Sequence, residues 1–269
     1  MAKKHDIAII GAGNLGIAIA KGIAGAKLAK PKNMFLTRRH LEKLADLKKQ
    51  KFQVTSNNIE AVQNSEYIFL CVQPKQLPDV LKEINAVLDP EKHVLISTIT
   101  GVEISTIEEH LEAEMPIIRA MPNTATAIQE SMTCMCGKNV SEEQLKDVKT
   151  LFEALGEALI IDEDLMKAAT VLAASGIAFF LRYIRAATQG GIQLGFHAEE
   201  AQKIAMQTAR GAASLLVEGH NHPETEIDKV TTPQGCTIAG LNEMEHQGLS
   251  SAVIKGLLAS FEKINTITQ

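Results

Sequence analysis

Short apolar runs alternate with longer amphipathic stretches along the first part of the chain. The runs at 6–10, 34–37, 67–72, 94–98 and 117–120 read as strands, and the stretches at 14–26, 41–50, 78–87 and 104–111 carry the spacing of helices. A further run at 131–136 reads as a strand. Ser141, with Gln144 three residues on, has the capping-box pattern of a helix start, and 157–161 closes this half as a short apolar strand. Such alternation predicts an α/β fold, a Rossmann-type, doubly wound parallel sheet. After Asp164 the strand-like runs stop, and 166–189, 198–218, 237–245 and 250–267 all read as helices. The first is apolar nearly all round. An all-α domain of this size offers little to bury it, so a subunit interface is the expected cover. The boundary falls where Asp162, Glu163 and Asp164 would open a helix with an acidic first turn, giving domains 1–162 and 163–269.

Composition narrows the function classes. The chain has 269 residues, enough for two compact domains, and is 45% hydrophobic and 22% charged, which supports a buried core. The net charge is -5, and the densest basic cluster, Lys48, Lys49 and Lys51, lies on a polar helix end, so a nucleic-acid surface is not expected. The longest apolar stretch, at 168–181, is shorter than a membrane span, and the first strand leaves no room for a secretory leader. The expectation is a cytoplasmic protein without a membrane anchor. Cys71, Cys134, Cys136 and Cys236 form no CxxC pair and no metal spacing with His, and Cys134 and Cys136 would share one strand face as small core residues. His220 and His222 stand beside Pro223 without a third ligand, so no metal is expected.

Gly11-Ala12-Gly13-Asn14-Leu15-Gly16 is a GxGxxG that follows an apolar strand and opens a helix, the context in which it signals a dinucleotide. Gly11 makes the tight turn, Gly13 lets the pyrophosphate approach, and Gly16 allows close helix–strand packing. N–H groups at the helix start, around Asn14 and Leu15, meet the phosphates. A carboxylate that would accept from a ribose 2′-OH is missing at the end of the second strand. Thr37-Arg38-Arg39 stands there instead: either arginine could pair with a 2′-phosphate and Thr37 could donate to it, which favours NADPH over NADH. Asn58 is a further candidate near the adenosine end.

Two later segments carry a resemblance. Arg119-Ala120-Met121-Pro122-Asn123-Thr124 resembles the R-x-M-P-N-T of pyrroline-5-carboxylate reductases, and the segment Val230-Thr231-Thr232-Pro233-Gln234-Gly235-Cys236-Thr237-Ile238 is similar to the family's V-T-S-P-G-G-x-T-I signature. Gln189-Gly190-Gly191 with Gly195 resembles its D-G-G-x-x-x-G, and the likeness runs in order along nearly the whole chain. The resemblance implies a Rossmann domain followed by an all-helical domain that interlocks with a second copy, in dimers that often assemble further, commonly to decamers. It implies reduction of the cyclic imine 1-pyrroline-5-carboxylate to L-proline, the last step of proline synthesis, with NADPH or NADH. Departures exist. The family's A-V-K-P is Cys71-Val72-Gln73-Pro74, its G-S-G-P-A-Y is Ala174-Ser175-Gly176-Ile177-Ala178-Phe179, its Glu and Asp in the next helix are Arg185 and Gln189, and Gln234 replaces a Gly.

Hydride transfer to an imine needs a nicotinamide held close to the imine carbon. Asn123 follows a strand end and points into the crevice. It and the backbone of Val72, Gln73 and Pro74, with that around Thr100, would cradle the nicotinamide ribose. Gly235, Cys236 and Thr237 would form a helix N-terminus whose free N–H groups take the substrate carboxylate, with the Thr232 hydroxyl added and Val230 alongside. Thr237 would also hydrogen-bond the ring nitrogen, for orientation rather than as proton source. Ser175 and Gly176 would begin the long helix, near cofactor or substrate. Two other readings stay open: a non-catalytic NADP-binding regulatory paralogue, kept by Gln73, Gln234 and Arg185, and a reductase of a related imine. A 3-hydroxyacid dehydrogenase would need a Lys in the first long helix, and none follows Lys167.

Overall fold

The computed structural model describes residues 5–267. Eight strands form one sheet: β1 (Ile7–Ile10), β2 (Met34–Thr37), β3 (Gln53–Thr55), β4 (Tyr67–Leu70), β5 (Val94–Ser97), β6 (Ile117–Met121), β7 (Ser131–Lys138) and β8 (Gly156–Ile160). Their spatial order is β3-β2-β1-β4-β5-β6-β7-β8. Helices α1 (Asn14–Gly25), α2 (Ala45–Lys49), α3 (Asn58–Gln63), α4 (Leu77–Ile84), α5 (Ile104–Glu108) and α6 (Glu142–Glu153) connect them. The central strands are buried on both faces. In β1, Ile7 and Ile9 pack with Ile19, Phe69 and Phe152, while Ala8 and Ile10 pack on the other side with Leu70, Leu77 and Ile104. Cys134 and Cys136 lie together in the second of these clusters.

The sheet is not wholly parallel: β7 runs antiparallel to β6. The connection between them, a 3₁₀ turn over Thr124–Ile128, is too short for the crossover that a parallel pair needs. In the sheet-bearing part, β3 and α3 were not expected. β3 carries little apolar signal because it is a short edge strand, and α3 starts from an Asn57 cap that accepts from the Glu60 N–H. The expected helix at 41–50 is a 3₁₀ turn, Leu41–Leu44, before α2, and the one expected over 104–111 stops at Glu108.

Backbone packing divides the chain into two compact units, Met1–Ala174 with Phe261–Gln269, and Ser175–Ser260. The second part of the chain holds α7 (Met166–Ala169), α8 (Gly176–Gln193), α9 (Ala198–Gly219), α10 (Pro223–Val230), α11 (Cys236–His246) and α12 (Leu249–Ile267). α10 was not expected; Pro223 at its first turn and His222, whose Nδ1 accepts from the Glu224 N–H at 3.3 Å, start it. Between α7 and α8 the helix does not break but widens into a π-helical turn, Thr170–Ser175. Ser175 and Gly176 therefore sit within the long helix and do not begin it. Helix runs unbroken over Glu163–Gln193, 31 residues whose most apolar 18-residue window has a mean hydropathy of 1.5, long and apolar enough to cross a membrane by length and composition. The helix is longer than the apolar stretch at 168–181, because charged and small residues at its ends extend it beyond its most apolar part.

In the second unit, Gly191 lets α8 and α9 come close, since a Cβ there would lie 2.9 Å from Ala201 Cβ. Much of the apolar surface of these helices stays open: Phe180 is 73% exposed, Val217 69% and Ile254 57%. A burial deficit of that kind on several helices of one unit marks an interaction surface.

Candidate active site

The strand order reverses between β1 and β4, and the crevice beyond their carboxyl ends is where open α/β sheets take ligands. Gly11 leaves β1 with φ +90°, a conformation that favours glycine, and a Cβ there would stand 2.7 Å from Val72 Cγ1 and 2.9 Å from the Cys71 carbonyl oxygen. Gly16 packs α1 on the sheet, where a Cβ would lie 2.9 Å from Ile9 Cγ2. Gly13 is different: an added Cβ would meet nothing closer than 3.9 Å, so it would project into open space beside the helix end. No side chain caps α1, whose N-cap is Gly13. The N–H groups of Asn14, Leu15 and Gly16 are thus those of an uncapped helix start, a natural partner for a diphosphate. The cradle fits the pyrophosphate of a dinucleotide.

The end of β2 supports this turn. Thr37 is buried, and its hydroxyl accepts from the Gly11 N–H at 3.3 Å. That contact places Thr37 beneath the glycine turn and uses only an acceptor lone pair of its hydroxyl, whose hydrogen can still donate. Arg38 Nη1 donates to the Ala12 carbonyl at 3.1 Å, so its guanidinium lies half-buried over the loop, whereas Arg39 is exposed. Asn58, at the start of α3, donates to Glu83 Oε2 at 2.8 Å.

Beyond β4, Val72 is half-buried and Gln73 and Pro74 are exposed, with the Gln73 N–H donating to Gln76 Oε1 at 3.1 Å. Burial pushes the Cys71 thiol up to about 12, and Thr98 Oγ1 donates to its sulfur at 3.3 Å, so Cys71 is an inert wall of this crevice. Thr100 is exposed beyond β5. Asn123 departs from expectation. It is 7% exposed, its Oδ1 accepts from the Ala125 N–H at 2.9 Å, and its Nδ2 donates to the Ala173 carbonyl at 3.2 Å. Each amide atom makes one hydrogen bond to backbone, so the side chain is anchored between the turn at Ala125 and the Ala173 carbonyl rather than free in the crevice.

A charged cluster anchored on β6 was missed. Arg119, 2% exposed in β6, gives Nη1 to Glu163 Oε1 at 3.3 Å, and the same oxygen accepts from the Ile104 N–H at 2.8 Å. Lys167 pairs with Glu103 at 2.9 Å and holds that carboxyl below its usual range. An arginine inside an apolar strand run was the available signal, since buried charges need partners, but the run does not say which acid answers it.

The second group of predicted residues lies in the other unit. Thr231 Oγ1 donates to the Ile227 carbonyl at 2.8 Å, ending α10. The Gly235 N–H then donates to the Thr232 carbonyl at 2.9 Å, closing a turn with Pro233 and Gln234 at its centre. Gln234 takes φ +58°, so a glutamine occupies a left-handed position where the resembling signature has Gly. At Gly235 a Cβ would collide with Thr232 Oγ1 and lie 2.9 Å from its carbonyl oxygen, so glycine is required. Gly235 caps α11 without a side-chain hydrogen bond, leaving the N–H groups of its first turn to water or an anion. Cys236 is exposed and Thr237 half-buried in that first turn; Val230 is 61% exposed. The turn brings Thr232, Gly235, Cys236 and Thr237 together around one helix end.

Comparison with known proteins follows the same division. Residues 163–267 match the model for pyrroline-5-carboxylate reductase dimerisation, and residues 6–101 match that for NADP oxidoreductase, coenzyme F420-dependent. Pyrroline-5-carboxylate reductase 2 of Dictyostelium discoideum is 46% identical over 274 residues, covering 96% of this chain and 91% of that protein. Pyrroline-5-carboxylate reductase 1 of the same organism is 48% identical, but the chain spans 49% of its length. The solved structure of a pyrroline-5-carboxylate reductase from Coxiella burnetii superposes with a TM-score of 0.95 at 27% identity, covering 99% of this chain and 100% of that one. The Plasmodium falciparum pyrroline carboxylate reductase, solved with NADP bound, gives 0.87 at 25% identity, with both chains covered in full.

Proposed function

We propose that this chain, which belongs to the pyrroline-5-carboxylate reductase family, reduces 1-pyrroline-5-carboxylate to L-proline with NADPH. The observation that carries the reading is the uncapped glycine cradle at the sheet's switch point, with two arginines and no carboxylate at the end of β2. When bound, NADPH supplies the hydride. Around it, the N–H groups of Asn14 to Gly16 would hold the pyrophosphate and Arg39 would hold the 2′-phosphate, while Arg38 keeps the Ala12 carbonyl in place. The backbone from Val72 to Pro74 and around Thr100 lines the nicotinamide end.

In the helical unit, the first turn of α11 takes the substrate carboxylate, with Thr232 and Thr237 hydroxyls beside it. Reduction of the C=N bond would need a hydride at the carbon and a proton at the nitrogen. A threonine hydroxyl is too weak an acid to provide that proton at neutral pH, so Thr237 orients the nitrogen and the proton comes from solvent or from an imine protonated before binding.

The dimerisation domain at 163–267 supports an oligomer. We read the open apolar faces of α8, α9 and α12 as the surface that a second copy covers, in a homodimer free of membrane and located in the cytoplasm; a decamer would be built from such dimers. Sedimentation at falling protein concentration tests this: a dimer at nanomolar concentration is expected, and a fully active monomer would contradict it. For the activity, the purified full chain is mixed with NADPH and racemic pyrroline-5-carboxylate, following absorbance and identifying the product by mass spectrometry. Oxidation of NADPH with formation of proline is expected. Tight NADPH binding without oxidation would favour a non-catalytic NADP-binding protein instead.

A further inference from the structure

A π-helical turn changes the register of helix hydrogen bonding from four residues to five, and carbonyls at such a transition lose their regular partners. In this chain two side chains meet that need within the sheet-bearing unit. At the entry to the turn over Thr170–Ser175, Thr170 Oγ1 donates to the Met166 carbonyl at 2.7 Å. Within it, Asn123 Nδ2 donates to the Ala173 carbonyl at 3.2 Å. We propose that Asn123 is a positioning residue that splints the π-helical turn, and not a ligand of the cofactor.

Three features support this. Asn123 is nearly fully buried, and its Oδ1 is occupied by the Ala125 N–H. Its backbone N–H donates to Ser131 Oγ at 3.0 Å, fixing it against the first residue of β7. Thr126 Oγ1 donates to the Asn123 carbonyl at 2.7 Å, so the 3₁₀ turn that follows is tied to the same residue. Asn123 thus stands at a rigid junction of β6, β7 and a tight turn, with its amide reaching one carbonyl of the long helix. Widening a helix without compensation leaves that half-buried carbonyl short of a regular partner, which costs free energy. Ala173 lies within the sheet-bearing unit, so holding its carbonyl fixes the π-helical turn there. The catalytic consequence rests on the proposed imine reduction; the structural role does not.

The test uses the full-length protein and Asn123→Ser. A serine hydroxyl can still accept from the Ala125 N–H, as caps commonly do, but cannot reach Ala173. Amide hydrogen exchange is measured across residues 170–176 without cofactor, NADPH affinity by titration, and steady-state kinetics with both substrates. One lost hydrogen bond predicts exchange at 170–176 faster by about five- to tenfold. NADPH affinity should stay within about twofold of the parent, and the turnover number should fall without a rise in the KM for NADPH. Unchanged exchange at 170–176 would overturn the proposal whatever the kinetics. Faster exchange together with NADPH binding weakened tenfold or more would equally overturn it, because Asn123 would then be a cofactor ligand. Should the Ser variant fail to fold, Asn123→Asp retains the cap acceptor, removes the donor and is read the same way. If the parent protein proves inactive, exchange and NADPH affinity still decide the role of Asn123.

Discussion

Arg38→Ala and Arg39→Ala should fail in different ways, because the two neighbours are held differently. Arg39 is exposed at the end of β2, where a 2′-phosphate would give its charge a fixed partner. A hydrogen bond to a charged group contributes about 1.5–3 kcal/mol, and an exposed one belongs at the low end because solvent and salt screen it. Arg39→Ala should therefore weaken NADPH by about tenfold at low ionic strength, less at high salt, and leave NADH untouched. Arg38 already spends Nη1 on the Ala12 carbonyl, within the loop that every dinucleotide must use. Its loss should weaken both cofactors by about fivefold, the factor for roughly 1 kcal/mol, with a further loss for NADPH if its free nitrogens also reach the phosphate. Fluorescence titration of NADPH and NADH on parent and both variants, at two salt concentrations, gives all the needed ratios. Equal loss of both cofactors in Arg39→Ala would refute the assignment of the 2′-phosphate to this strand end.

Three further outcomes follow. Thr237→Ala should lower the turnover number and the specificity constant by about tenfold, from one hydrogen bond that strengthens in the transition state, with Thr237→Ser recovering most of the rate; loss of melting temperature with turnover intact would reduce Thr237 to a helix-start residue. Glu163→Ala strands the buried Arg119 and the Ile104 N–H. It should cost about 2–3 kcal/mol, below the range for a fully buried pair because Glu163 is 35% exposed, as read by urea unfolding at fixed protein concentration; a change under about 0.5 kcal/mol would contradict the clasp. His93 is buried, its pKa is held below the usual 6.5 chiefly by burial, and its Nδ1 accepts the Asp89 N–H at 3.0 Å. A lowered histidine contributes its stability fully above the unfolded value and loses it as pH falls through and below about 6.5. The melting temperature should therefore fall more steeply with acid in the parent than in His93→Gln, and parallel slopes would argue otherwise.

Much of the architecture was legible because buried strands and the glycine loop leave strong local marks. β1 and its GxGxxG turn, α1, β4 and the change to helices after Asp164 all rest on short-range patterns. What escaped depends on contacts distant in sequence. β3 is a short edge strand with one weakly buried face, α10 is polar, and the antiparallel turn of β7 follows from connection length rather than from apolar period. At the candidate site, Gly11, Gly16 and Gly235 were readable, since each of these glycines answers a local geometric need. Thr37, Asn58 and Asn123 were less so. Their residue types suggest contacts with a ligand, but Thr37 meets Gly11, Asn58 meets Glu83, and Asn123 meets Ala173, and no local pattern announces partners so far along the chain. The π-helical turn has no composition signal at all; Thr170–Ser175 would read as ordinary helix.

The central claim is transfer of hydride from NADPH to the imine carbon of pyrroline-5-carboxylate. It is tested most directly by supplying NADPH deuterated at C4 of the nicotinamide to the full-length protein with pyrroline-5-carboxylate, and analysing the product by mass spectrometry and NMR. The account predicts proline carrying deuterium at C5, formed in step with loss of NADPH absorbance. Proline without deuterium at that carbon, or no proline despite saturating NADPH, would contradict it.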